Sequence, residues 1–534
     1  MELRYKNKKV EFKEGTNLLE IMTENKIEVD NHCNGKGTCG KCKVRIKSNC
    51  EYAPKSVEKK FLTEEELNSQ IRLACQIVPV SDLEIETVKE DEKSRKILTS
   101  GFIPDFEKDN TYRGYGVAID IGTTTIALSL TDMETHEELF SASILNPQKK
   151  YGMDVLTRIT YSIENEDGLK NLQEVLVQGI NEMIEEVCES EGKAKGVDFQ
   201  KVKENIKEIA VSANCTMTHT LLGKEIKSLG RYPYEPVFRD VQKIFASEIG
   251  IDVDEKCILW TLPQVSAFIG ADIVAGAYVC NLGKKEKNTL FIDIGTNGEI
   301  VLAKDRHLMC CSCAAGPALE GMNIKYGMRA QYGAIEDIII EQDGNIKLKV
   351  IGDKEATGIC GSGILASVRE LLKSRLVKPR GAFLKLKDID DSNPLKKLIG
   401  EEDGKRNFII TEKVSVTQQD IIQVQLAKAA ILSGFISLLR KAEIDMKNLD
   451  EVLIAGQFGS YLPEESLLGV GILPREVKGK IVYMGNTSKT GAYMFLTSKK
   501  VREEMSEIAE KMDYYELSTM KDYDRIFTKS LIFK

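Results

Sequence analysis

Residues 116–125 read GVAIDIGTTT, and residues 289–299 read TLFIDIGTNGE. Each is an apolar, β-rich run, then Asp-Ile-Gly-Thr, then small polar residues. A second strand-like run follows each: IALSL at 126–130 and IVLA at 300–303. Strand, tight turn and strand make a hairpin whose turn can embrace a phosphate. Backbone N–H groups, Thr hydroxyls and a carboxylate able to hold a cation converge there. One Asp-x-Gly arises by chance; the same pattern twice in the same setting marks an internal repeat.

Helical stretches follow each hairpin. Over 169–191, Leu172, Val175, Leu176, Ile180, Met183, Ile184 and Val187 recur at three- to four-residue spacing, which predicts an amphipathic helix. Residues 418–443 predict another. FIGADIVAGA at 268–277 predicts a helix whose small residues suit close crossing of a neighbour. VLIAGQFG at 452–459 predicts a buried strand running into a glycine turn, and TSKTGA at 487–492 a further helix start. GICGSG at 358–363 opens a helix. A Gly-rich loop there, with Gly361, Ser362 and Gly363, is a ready anion site, and a tight packing turn is nearly as good a reading. Residues 211–217, VSANCTM, predict another strand-to-helix turn facing the same site. No G-x4-GK[ST] run exists, which excludes the P-loop route to ATP. His32, His136, His219 and His307 form no companion pattern with a nucleophile.

The N-terminal stretch carries different chemistry. HCNGKGTCGKCKVRI at 32–46, with RLAC at 72–75, places Cys33, Cys39 and Cys42 on one loop and Cys75 far downstream. The C-x5-C-x2-C spacing plus a distant cysteine can wrap a [2Fe–2S] rhomb, close to the plant-type ferredoxin arrangement. Gly35, Gly37 and Gly40 let backbone curl around the sulfides. Zinc favours paired C-x2-C knuckles, and only one is present. Leu3, Tyr5, Val10 and Phe12 predict a hairpin, residues 18–22 a short helix with Thr16 or Asn17 as its cap, and residues 43–47 a strand; Leu83, Ile85 and Val88 end the unit.

The 534 residues are too many for one core, so several domains are expected. A formal charge of −8 argues against nucleic acid as a constitutive partner. No apolar run approaches the length of a membrane span, and the N-terminus lacks a signal-peptide core; a cytoplasmic protein is expected. Thirteen cysteines, an odd number, argue against a complete disulfide framework and suit a reducing compartment, as in an anaerobe. Cys50, Cys188, Cys215, Cys257, Cys280 and Cys360 are expected as buried small residues. Cys310, Cys311 and Cys313 cluster without a nearby fourth ligand, so a second metal site is the weaker reading. KEDEKSRKILTSGFIPDFEKDNTYR at 89–113 shows no period and reads as a linker.

On these motifs the N-terminal region resembles the β-grasp [2Fe–2S] ferredoxins. The two hairpins resemble the acetate and sugar kinase, heat-shock-protein and actin superfamily, with its ribonuclease H-like lobes. That resemblance implies Mg²⁺ near Asp120 and Asp293. It implies phosphate contacts from Gly122, Thr123, Thr124, Gly295, Thr296, Asn297 and Gly298, and adenosine near Gly456 and Gly459. The expected fold is a multidomain α+β and α/β chain. Its parts are a ferredoxin domain (1–90), a flexible linker (91–114), a first ATPase lobe (115–285) and a second lobe with a nucleotide-binding insert (286–534).

The whole order looks like the reductive activators of corrinoid proteins. SANCTMTHTLLG, CSCAAGPALEG, TGICGSG and IAGQFGSYL add to the resemblance. It implies ATP-dependent one-electron reduction of Co(II) to Co(I) through the cluster. The implied partners are a corrinoid protein of a methyltransferase system and a low-potential donor such as a ferredoxin, with a homodimer suggested by the family alone. Three other readings stand beside it. They are an activator of another low-potential metalloenzyme, a metabolite kinase with a regulatory cluster and Glu299 or Asp272 as base, and a redox-regulated ATP-binding protein.

Overall fold

The computed structural model describes residues 1–6, 8–25, 27, 29, 42–48, 52–62, 64–88, 101–341, 343–402, 404–456 and 459–533. His32, Cys33, Gly35, Gly37, Cys39, Gly40, Cys50, Gln457, Phe458 and residues 89–100 lie outside them. The chain forms two compact units, Met1–Arg95 and Lys96–Lys534.

The first unit is a five-stranded sheet in the order Lys8–Glu11, Glu2–Tyr5, Leu83–Thr87, Lys43–Ile46, Ile71–Leu73. The first and last long strands pair in parallel, Leu3 opposite Leu83. That pairing brings residues 80 positions apart together and closes the grasp around the helix Leu18–Glu24. Asn17 caps this helix by accepting from Leu19 N at 2.9 Å, which satisfies a donor the helix itself cannot. Leu18, Ile21 and Met22 then bury against Leu3, Val44, Leu83 and Ile85.

The second unit carries two six-stranded sheets built alike. The first runs Gln242–Phe245, Ile258–Thr261, Ile206–Ala213, Tyr115–Ile121, Thr125–Asp132, Glu138–Leu145. The second runs Ile481–Gly485, Glu451–Ala455, Thr289–Ile294, Gly298–Lys304, His307–Cys313, Met512–Tyr514. In each, the strand bearing Asp-Ile-Gly-Thr is central. It pairs antiparallel with the next strand in sequence and parallel with a later one, Ile206–Ala213 or Glu451–Ala455. The internal repeat of the sequence is thus a repeat of topology. Strands buried on both faces read as continuous apolar runs, as Val117, Ala118 and Ile119 and Leu290, Phe291 and Ile292 do.

Two helices join the repeats. Ala271–Val279 and Thr487–Thr497 cross closely because glycine is present at the contact: a Cβ on Gly491 would lie 2.4 Å from Ala275 Cβ, and one on Gly276 3.1 Å from Thr487 Oγ1. The long amphipathic helix is Gly168–Lys195, with Leu172, Leu176, Ile180, Met183, Ile184 and Val187 inward. The helix Gln418–Lys441 is long and apolar enough to cross a membrane, yet 78% of its apolar window is buried inside the protein, so it serves as a core helix. Two small three-stranded sheets, around Ala334–Ile340 and Lys405–Ile409, precede it in sequence.

Residues 101–113, expected as free linker, are instead strapped along the second unit. Phe102 N donates to Met484 O, Asn110 N to Thr497 O, and Lys499 N to Asp109 Oδ1, while Phe106 packs edge-on against Tyr493. Gly101 fits because a Cβ there would meet Asn486 O at 2.6 Å. The polar composition of this stretch hid the pairing, because its partners lie almost 400 residues further along the chain.

Candidate functional site

Each Asp-Ile-Gly-Thr run ends its strand in a short turn. Gly122 N donates to Thr125 O at 2.8 Å, and Gly295 N to Asn297 O at 2.9 Å. Asn146 clamps the first turn from outside: its side-chain amide donates to Gly122 O and its backbone N to Thr124 O, both 2.9 Å. Asn214, N-cap of the helix Cys215–Leu221, donates to Thr123 Oγ1 at 3.0 Å. The strand-to-helix turn at 211–217 therefore does reach the first hairpin, as its sequence predicts.

The carboxylates at the strand ends gather into one acidic group. Asp120 Oδ2 accepts from Asn486 Nδ2 at 2.8 Å and Oδ1 from Ser488 Oγ at 2.6 Å, and Lys489 adds positive charge. Loss of hydration still lifts Asp120 above the ordinary carboxylate range, with these partners opposing it. Asp272 rises to about 7 through lost hydration and then the charge of Asp120. Asp293 rises to about 8 through lost hydration, Asp272 and Asp120. Glu299 is raised well above its usual range by lost hydration, Asp272 and Asp293, against a 3.3 Å hydrogen bond from Ser312. Four mutually repelling carboxyl groups, each resisting ionisation, form an environment that a cation would relieve. Among the described residues, no three His, Cys, Asp or Glu side chains come together closely enough to grip a bare ion.

Behind the turns lies a buried Glu–Arg system that the motifs did not single out. Glu320 is 2% exposed. It accepts from Thr124 Oγ1 at 2.9 Å with one oxygen and from the Thr296 hydroxyl with the other, bridging the two turns. Arg158, 1% exposed, donates to Thr123 O at 2.6 Å, Gly152 O at 2.9 Å and Gln148 Oε1 at 3.0 Å. Desolvation pulls its guanidinium down to about 9, opposed by Asp154 and Glu320. The one sequence signal for Glu320 was its place in CSCAAGPALEG; nothing marked Arg158.

The remaining expected residues fall around this centre. Gly456, at φ +88°, follows the strand beside Asp293, and a Cβ there would lie 2.4 Å from Asp293 Oδ1. Gly459 packs on Ile454 and Ile294. Gly298 packs on Cys313 Sγ, whose thiol bonds Gly298 O at 2.9 Å. Gly361 and Gly363 are explained by packing: added Cβ atoms would sit 1.7 Å from Leu319 O and 2.1 Å from Ile335 O. Of the two readings of GICGSG, these contacts support the tight packing turn. Ser362 lies 3.3 Å from the Cys360 thiol. Cys310, Cys311 and Cys313 lie buried in the strand His307–Cys313, with thiols raised by burial, which suits inert core residues. Cys188, Cys215, Cys257, Cys280 and Cys360 are likewise buried. His219 is a core residue, stacked on Phe238 and holding Val237 N at 3.1 Å.

In the first unit, Cys42 and Cys75 are brought together by extension of a strand pair. Lys43 lies opposite Leu73, and Ala74 N donates to Cys42 O at 2.8 Å, so Cys42 meets the residue just before Cys75. Asn17 Nδ2 fixes Cys75 O at 3.0 Å, and Gln76 Nε2 reaches the Cys75 sulfur at 3.4 Å. Two cysteines carried on adjacent backbone, with an N–H directed at the Cys75 sulfur, fit the donor chemistry of an iron–sulfur cluster. Cys33 and Cys39 lie outside the described residues.

Comparison with known proteins agrees with this layout. Residues 2–80 match the 2Fe-2S iron-sulfur cluster binding domain, 115–285 the RACo middle region, and 287–534 the C-terminal domain of RACo, the ASKHA domain. The chain is 29% identical to the corrinoid activation enzyme RamQ of Eubacterium limosum, over 94% of this chain and 93% of that protein. It is 26% identical to the [Co(II) methylated amine-specific corrinoid protein] reductase of Methanosarcina barkeri, over 77% and 76%. A solved reductive activator for corrinoid, iron–sulfur protein superposes with a TM-score of 0.69 at 29% identity, covering 100% of this chain and 98% of that one. With an iron–sulfur domain, the RACo middle region and the ASKHA domain in that order, the chain belongs to the RACo family.

Proposed function

We propose that this protein is an ATP-dependent reductive activator of a corrinoid protein, returning cobalt from inactive Co(II) to Co(I) by one electron. The observation that carries the reading is the pairing of a ferredoxin-type unit with two facing Asp-Ile-Gly-Thr hairpins in one RACo-family chain. The named relatives act on corrinoid proteins.

Cys33, Cys39, Cys42 and Cys75 would hold the cluster, which when bound supplies a single-electron carrier near about −400 mV. Each ~59 mV of uphill one-electron transfer disfavours product tenfold. Reduction to Co(I) is uphill from such a carrier, so a second source of free energy is needed. Coupling comes from differential affinity of the assembly's states for nucleotide and corrinoid protein.

The two turns offer groups suited to a nucleotide. The turn N–H groups and hydroxyls of Gly122, Thr123, Thr124, Gly295, Thr296, Asn297 and Gly298 would orient the phosphates. Asp120 and Asp293 would hold Mg²⁺ through water, and the cation would relieve the repulsion among the buried carboxylates. Gly456 and Gly459 would border the adenosine. The division of labour follows the chain: 1–90 for the cluster, a connecting segment up to 114, and the lobes 115–285 and 286–534 for ATP. A low-potential ferredoxin-like donor, a homodimer and a cytoplasmic setting complete the reading.

The Asp293→Ala variant tests it. Its cluster absorbance should match the wild type, while ATP-dependent Co(II) reduction in a corrinoid protein is lost. Normal activation by that variant would sink the proposal, and phosphorylation of a small metabolite by the wild type would replace it with the kinase reading.

A further inference from the structure

The segment around Glu320 is held rigidly. Its short 3₁₀ turn, Pro317–Glu320, ends at Gly321 with φ +78°, where a Cβ would lie 2.3 Å from Met328 O. Gly361 lets the Leu319 carbonyl approach from the other side. The backbone therefore delivers the Glu320 side chain to the gap between Thr124 and Thr296. Both carboxylate oxygens are engaged by the very hydroxyls that stand on the two phosphate turns. Arg329 and Arg158 supply positive charge to the same carboxylate.

A nucleotide's terminal phosphates need the same donors and the same positive surroundings. A phosphate and a carboxylate are both anions and both acceptors, so the two cannot share these hydroxyls. We propose that Glu320 is a positioning residue that clasps the two phosphate turns together in the absence of nucleotide and yields the Thr124 and Thr296 hydroxyls to nucleotide phosphate. This rests on the ATP-site reading above. Nucleotide binding must then break two charge-assisted hydrogen bonds, so Glu320 weakens nucleotide affinity and links occupancy to the separation of the turns.

The test uses the full-length, cluster-loaded protein titrated calorimetrically with a non-hydrolysable ATP analogue and Mg²⁺. Glu320→Gln keeps the shape and one acceptor oxygen but removes the charge. It should bind the analogue at least about tenfold more tightly, a gain of about 1.4 kcal/mol. KM for ATP should fall by a similar factor, with kcat changed much less. Glu320→Asp is too short to span both hydroxyls and should fall between wild type and Glu320→Gln; it carries the test if the latter does not fold. Unchanged or weaker binding by these variants overturns the clasp. So does a kcat collapse at unchanged affinity, which would put Glu320 on the attacking water. A wild type that binds no nucleotide at all overturns the ATP site as well, which separates the two failures.

Discussion

The two Asp-Ile-Gly-Thr hairpins share a motif, a sheet order and a turn, yet their carboxylates live in different chemistry. Asp120 is met by Asn486, Ser488 and the charge of Lys489. Asp293 receives no hydrogen bond among the described residues and is surrounded by the acids Asp272 and Asp120, with Glu299 pressing from the next strand. At the first site donors and a nearby cation partly offset the cost of burying a negative carboxylate; the second lacks that offset among the described residues and is relieved by a proton or a cation. The motif dictates backbone geometry, whereas the charge state depends on which distant element arrives. Here it is the start of the helix Thr487–Thr497, which serves Asp120 only.

That contrast can be broken in several ways. The largest effect is expected on turnover: Asp120→Asn and Asp293→Asn should each lower ATP-dependent corrinoid reduction by about 10²–10³-fold. Stability should then separate them. Asp120→Asn turns an amide N–H₂ toward one of the two donors that its carboxylate accepts from, and should cost about 1–3 kcal/mol in urea unfolding without Mg²⁺. Asp293→Asn meets no such donor and should be neutral or stabilising above pH 7. Equal losses in both would erase the distinction drawn above.

Gly491→Val strikes the crossing that carries Asn486 and Ser488 on one helix and Asp272 on the other. With 2.4 Å between Cβ positions, it should cost about 1–3 kcal/mol and lower nucleotide affinity along with it. A cost in stability with unchanged affinity would show that the crossing does not position the carboxylates.

The smallest expected effect is a pH dependence. Asp293 has an ordinary value of 3.8 and a folded value of about 8. Its contribution to stability is therefore complete below pH 4 and is lost as pH rises through about 8. Melting temperature without Mg²⁺ should fall by a few degrees between pH 6 and 9. The fall should be smaller in Asp293→Asn, and Mg²⁺ should offset it more at pH 9 than at pH 6. A flat profile in the wild type would mean that Asp293 is already neutralised within the fold.

Much of the fold could be read locally. The periodicities of 116–130 and 289–303 gave both hairpins, and Leu172 through Val187 gave the face of a long helix, because each depends on neighbours in sequence. Asn17 gave its cap for the same reason. What could not be read depends on long-range closure. Glu320 meets Thr124 across 196 positions, and Asn486 meets Asp120 across 366. No window of sequence contains both partners. Residues 101–113 looked like linker because their partners are remote in sequence: Asn110 bonds Leu496 O and Glu208, and Asp109 holds Lys499 N. GICGSG drew attention as an anion loop, although its glycines answer to the carbonyls of Leu319 and Ile335.

The sequence by itself determined the cysteine spacing, the duplicated strand–turn–strand units and the helices that follow them, since ligand spacing, turn chemistry and apolar period are local properties. Only the tertiary structure decided that the Asp120 carboxylate accepts hydrogen bonds while that of Asp293 accepts none among the described residues, that Glu320 spans both turns, and that the strap at 101–113 is fastened. Those outcomes depend on burial and on charge at distances of a few ångströms, and folding alone brings such groups together.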